Sequence, residues 1–137
     1  MYSIKYNLEP GDHIIEPIFD TGHSKHHAIF LGRDINGVEW IAENHKFNNV
    51  QVIPAAEHFA TAKCIHQIVK FKGSNIERKN IVMKALSLAG KPYNLISYNC
   101  EHFVNEVLTG KPKSTQVKNA MILFLAIFLF GIIINDN

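Results

Sequence analysis

Asn99-Cys100-Glu101-His102-Phe103-Val104-Asn105-Glu106 is the stretch on which the reading of this 137-residue chain turns. Asparagine is a good N-cap, and Phe103, Val104, Val107 and Leu108 follow at helical spacing until Gly110 and Pro112 end the helix. Cys100 therefore falls in the first turn, where unpaired backbone N–H groups and the helix dipole favour negative charge. A thiol in that position is more available as thiolate, and the same N–H groups are placed to hold an oxyanion on an attacked carbonyl. Glu101 and His102 point to other faces of the helix and are poor partners for the thiol.

Working outward, Ser74-Asn75-Ile76-Glu77 reads as a capping box opening an earlier helix. Its apolar positions are Ile81, Val82, Ala85, Leu86 and Ala89, and Gly90 and Pro92 stop it. Everything before that reads mainly as strands. Residues 13–19 form a β-rich run whose Pro17 argues for an edge or a bend. A polar turn over residues 22–25 leads into a second strand at 26–31, closed by Gly32. Asp34-Ile35-Asn36-Gly37 is a hairpin signal, and residues 38–43 return as a third strand. Asn48-Asn49 marks another turn, followed by a strand at 50–53, a short helical segment at 55–60 and a strand at 64–71. The fold class is α+β: a small antiparallel sheet, then two helices, then an apolar tail. The chain divides into one domain over residues 1–110, a hinge over 111–119 and a hydrophobic C-terminal helix over 120–134.

Bulk composition narrows the function classes. Fourteen Lys+Arg against twelve Asp+Glu give a net charge of +2 with no basic stripe and no interleaved aromatics, which argues against nucleic-acid binding. Residues 1–9 lack the features of a secretory signal, and two cysteines without one suggest a reducing, cytosol-facing setting. Cys64 lies in an alternating run and reads as a buried strand cysteine. With no Cys-x-x-Cys spacing, no metal site is expected, and no cofactor.

A thiolate needs a base, and the strands offer one. In His26-His27-Ala28-Ile29-Phe30 one histidine must face each side of the sheet. Glu43 and His45, two residues apart on the next strand, can supply a third group that orients the imidazole. By contrast, His13, His23, His58 and His66 read as surface or packing residues.

The segment around Cys100, followed by Ser114-x-Gln116-Val117, resembles the phospholipase A/acyltransferase (HRAS-like suppressor) family. That family is akin to lecithin retinol acyltransferase and to the NlpC-type peptidases. Pro10-Gly11-Asp12 and His26-His27-Ala28-Ile29-Phe30-Leu31-Gly32 resemble two further family blocks, and an apolar C-terminal tail is a family feature. The resemblance implies a circularly permuted papain-like fold in which the histidine strand precedes the cysteine helix. It implies Cys100 as nucleophile and His26, not His27, as general base and acid. Where the family often has a second histidine on the next strand, Glu43 fits by register and His45 is the alternative. The implied activity is thiol-dependent acyl transfer from membrane phospholipids through an acyl-cysteine, with water, an amine or a hydroxyl as acceptor. The alternatives are a cysteine amidase or peptidase of the same superfamily, or a non-enzymatic membrane-anchored interaction protein.

Residues 120–134 would form a helix of about 22 Å at ~1.5 Å per residue, short of the roughly 20 residues that a bilayer core needs. Residues 121–130 are apolar on every face, more than a small domain can cover, so membrane insertion is expected. Lys111, Lys113 and Lys118 precede the tail, as in a domain anchored by its C-terminus on the cytosolic face of a membrane.

Overall fold

Alternation along the longest strand sets the architecture. In the computed structural model, which describes residues 1–18, 24–62 and 64–135 (side chains of the last helix to Phe130), this strand is β2, Lys25–Arg33. It lies at the centre of a five-stranded antiparallel sheet of order β4-β3-β2-β1-β5. The other strands are β1 (His13–Pro17), β3 (Glu39–His45), β4 (Asn49–Pro54) and β5 (Gln67–Val69). Helices α1 (Tyr2–Tyr6), α2 (Ala55–Thr61), α3 (Asn75–Ser87), α4 (Cys100–Thr109) and α5 (Thr115–Asn135) complete the chain. The fold is α+β, as expected.

Successive strand residues point to opposite faces, so each face has its own core. Ile29, Ala42 and Val50 meet Ile81 and Ala85 of α3 and Phe103, Val104 and Val107 of α4. On the other face Ile14, Ala28, Phe30 and Ile41 lie under α1 and α2, with Leu8, Ala55, Tyr2, Tyr6 and Phe59. His26 and His27, adjacent in β2, are thereby assigned to different faces.

Local signals explain the helix ends. Ser74 and Glu77 form the reciprocal capping box of α3. In α4, Asn99 Oδ1 accepts from the N–H groups of Glu101 (3.0 Å) and His102 (3.2 Å), and the His102 side chain returns to the Asn99 N–H. Gly110 ends α4 in the left-handed region at φ 74°, which glycine adopts without strain. The N-terminal Asp12 is fully buried and binds Lys70 (2.7 Å), Arg78 (3.1 Å) and the backbone N–H of Phe71 (3.1 Å). It thus fastens the chain after β5, and the start of α3, to the entrance of β1.

Several expectations need correction. The run over residues 64–71 pairs as strand only at Gln67–Val69, and Cys64 is exposed ahead of it rather than buried within it. Helix α1 had no periodic signal of its own; Tyr2 stacks on Phe59 of α2 and Tyr6 packs against the same ring at a tilt. Helix α5 begins at Thr115 and so takes in residues assigned to the hinge. Among the described residues, no helix is long and apolar enough to cross a membrane. What α5 does present is apolar surface all round, with Met121, Leu123, Phe124, Ile127 and Phe130 each more than half exposed. Phe19 of the first expected strand, Gly22 of the polar turn, and His23 lie outside the described residues.

Candidate active site

Strand register brings four ionisable side chains together on the α2 face. Glu16 of β1 is paired with His26 of β2, and Glu43 of β3 lies opposite Ala28 and Gln51. His26 Nε2 meets Glu43 Oε2 at 2.7 Å. His58 of α2 reaches the same oxygen through Nδ1 at 2.9 Å, and Glu16 Oε1 through Nε2 at 2.9 Å. Gln51 Nε2 donates to the other Glu43 oxygen at 2.7 Å.

Burial opposes charge on every member, and the partners outweigh it. Burial presses His26 downward, but the neighbouring Cys100 sulfur and Glu43 raise it to about 10. His58 is likewise pressed down by burial, yet Glu16 and Glu43 lift it to about 9. Burial pushes the Glu43 carboxyl upward, and hydrogen bonds from His26 and His58 hold it well below the usual carboxylate range. Near neutral pH the cluster is therefore two imidazolium rings around an ionised Glu43.

Cys100 is the first residue of α4 and is buried. Its Sγ lies 3.7 Å from the Lys25 carbonyl, at the start of β2 and next to His26. With His26 Nε2 on Glu43, the nitrogen left for the sulfur is Nδ1. The N–H groups of Glu101 and His102, expected to be open to an oxyanion, are engaged by Asn99 Oδ1. Among the described residues, the Cys100 N–H is the first-turn donor without a protein acceptor. The start of α5 is fastened here too: Gln116 Oε1 accepts the Lys25 N–H at 2.8 Å, and its Nε2 donates to the Lys25 carbonyl at 3.2 Å.

The α4 face is different. His27 Nδ1 pairs with His13 Nε2 at 2.8 Å, and burial, the largest influence, pushes these rings down to about 4 and about 3. The nearby Glu101 carboxylate is engaged elsewhere, by the Ser114 hydroxyl (2.7 Å) and the Gln116 N–H (3.0 Å).

Two cavities meet at the thiol. One, of about 830 Å³, is lined mainly by apolar side chains, among them Leu95, Ile96, Val117, Met121 and Phe124, and reaches Cys100. The other, of about 310 Å³, holds His26, Glu43 and His58. Cys100 and Tyr93 border both.

The structure brings Cys100, His26 and Glu43 to one place and leaves His27 on the far face. His45 lines the smaller cavity, but its ring stacks edge-on against Phe47 at 5.7 Å and its Nδ1 has no partner among the described residues. His58 and Glu16 were missed. His58, read as a surface or packing residue, is 3 % exposed and bonded at both nitrogens. The signal available was faint: Glu16 and Glu43 each break an apolar strand on what register makes one face. Ligand atoms of His26, Glu43 and His58 also lie within 4.8 Å of one another, close enough to surround a divalent ion despite the lack of motif spacing. An ion there would have to displace protons from two imidazoles held above neutrality, so its binding would weaken as pH falls.

Residues 6–113 match the family model described as lecithin retinol acyltransferase. Phospholipase A and acyltransferase 3 of Mus musculus is 38% identical over 66 residues, covering 42% of this chain and 41% of that protein. Its Homo sapiens counterpart is 35% identical over 75 residues, 48% of this chain and 46% of its own length. Phospholipase A and acyltransferase 5 of Mus musculus is 43% identical over 44 residues, 32% of this chain and 14% of its own. Each match thus spans less than half the relative's length.

Proposed function

Because the chain belongs to the lecithin retinol acyltransferase family, we propose that it transfers fatty acyl groups from membrane glycerophospholipids by way of a Cys100 thioester. In this reading Cys100 thiolate attacks an ester carbonyl, and the Cys100 N–H steadies the oxyanion that forms. The tetrahedral adduct collapses with cleavage of the ester C–O bond, and the His26 imidazolium gives its proton to the departing lysophospholipid oxygen. Neutral His26 then takes a proton from water, an amine or a hydroxyl as it attacks the thioester, and the thiolate leaves. Glu43 holds the ring in place throughout. The histidine strand precedes the cysteine helix, which we read as a circularly permuted papain-like core.

The observation that carries this reading is the junction at Cys100, where a thiol backed by His26 and Glu43 opens onto a cavity of about 830 Å³ with largely apolar walls. A hydrocarbon chain suits such walls, whereas a peptide would bring N–H and C=O groups into a place with few partners for them. Residues 1–110 form the catalytic part, and α5 holds it against the lipid surface on the cytosolic face, its apolar side chains in the bilayer and Lys111, Lys113 and Lys118 at the headgroups. The test is lysophospholipid release from mixed phospholipid vesicles. The unmodified protein should release it and Cys100→Ala and His26→Ala should not; undiminished release by either variant would sink the reading.

A further inference from the structure

His58 lies on α2, outside every motif that marks the site, yet its buried ring touches both carboxylates nearest His26. Nδ1 is 2.9 Å from Glu43 Oε2 and Nε2 is 2.9 Å from Glu16 Oε1. A ring that donates from both nitrogens is an imidazolium. The groups facing it come from each neighbouring element: Glu16 from β1, His26 from β2 with ring centroids 6.0 Å apart, and Glu43 from β3. Phe59 stands edge-on at 5.1 Å from its own helix, while His45, Lys46 and Cys100 line the same cavity.

Resting on the reading of Cys100 and His26 given above, we propose that His58 is a positioning residue of the acyl-transfer site. By bridging Glu16 and Glu43 it fixes the Glu43 carboxylate against His26 and takes up part of its charge.

Two features of the geometry support this. His26 and His58 bind the same oxygen, Glu43 Oε2, at 2.7 and 2.9 Å, so each proton that oxygen helps to hold weakens its grip on the other. A carboxylate facing His26 alone would hold its proton more firmly still, and an acid gives its proton to a leaving oxygen less readily the further its pKa lies above the operating pH. Glu16 completes the arrangement by keeping His58 charged. The imidazolium at His58 is therefore a fixed counterweight, and it never meets the substrate.

The test needs no lipid. In the full chain in detergent micelles, the protonation midpoint of the His26 ring is followed by NMR, with His26→Gln assigning the signal. His58→Gln leaves Glu43 Oε2 to His26 alone and should raise the midpoint by about one pH unit, whereas Glu43→Gln removes the carboxylate that both rings share and should lower it by more. Loosened packing would not produce shifts of opposite sign. With vesicles, His58→Gln should reduce kcat about tenfold and leave KM unchanged. An unchanged midpoint in either folded variant overturns the proposal; if His58→Gln does not fold, His58→Asn decides in its place. A protein that shows both shifts but releases no lysophospholipid would overturn the acyl-transfer reading and leave the charge-sharing intact.

Discussion

On the α2 side of the sheet His26 and His58 are held protonated, raised to about 10 and about 9; on the α4 side His27 and His13 are held neutral, lowered to about 4 and about 3. Each pair joins a buried ring (His58, His27) to a half-buried one (His26, His13), and His26 and His27 are neighbours in β2. What differs is the company: the Cys100 sulfur and Glu43 raise His26, and Glu16 and Glu43 raise His58. Glu16 and Glu43 turn directly onto the rings of the first pair, while Glu101, near the second, is engaged by Ser114 and Gln116. Burial alone strips an imidazole of its proton; burial beside a free carboxylate keeps it. Strand alternation decided which histidine met which environment.

Breaking the pairs in turn should give unequal results. His26→Ala is expected to lower lysophospholipid release at least about a thousandfold, since it removes base and acid together. His27→Ala should stay within about tenfold of the unmodified protein, and an equal loss would erase the distinction between the faces. Next in size, Glu43→Gln should cost about a hundredfold in kcat by freeing the His26 ring, while Glu101→Gln should cost no more than about fivefold.

Stability sharpens the same contrast. The raised pKa values of His26 and His58 give stability that is complete below about pH 6.5 and is lost as pH rises through about 9 and 10. The lowered values of His13 and His27 act oppositely: the pair costs nothing above about pH 6.5, and destabilises increasingly as pH falls toward about 4 and 3. Thermal unfolding across pH should therefore show an alkaline decline that Glu43→Gln flattens and an acid decline that His27→Gln flattens. The smallest effect concerns the helix that carries the thiol. Asn99→Ala should destabilise the protein by about 1 kcal/mol in denaturant unfolding, because Asn99 Oδ1 binds two first-turn N–H groups.

Much of this was legible in the residues because it depends on local rules. Asn99 and Gly110 bound α4, Ser74 and Glu77 open α3, and alternation separates His26 from His27. Alternation puts Glu43 and His45 on one face and register favours Glu43 only narrowly; the fold separates them, since Glu43 meets the His26 ring while His45 turns to Phe47. His58 was illegible for a different reason. It lies 15 residues from Glu43 and 42 from Glu16, on a seven-residue helix with no motif, so only the tertiary fold reveals its partners. Cys64 misled because alternating residues pair only as far as a neighbour extends, and β5 finds three partners on β1. The Glu101 and His102 N–H groups are closed to an oxyanion because a good N-cap uses the very donors that an oxyanion would need.

The most direct measurement is capture of the intermediate. The protein is incubated with phospholipid vesicles of known acyl composition, quenched in acid and digested, and the peptide containing Cys100 is weighed by mass spectrometry. A mass increase matching one fatty acyl group on Cys100, with lysophospholipid in the supernatant, is the expected result. Lysophospholipid release with no acyl group on Cys100, or release that persists in Cys100→Ala, would contradict a thioester at this residue.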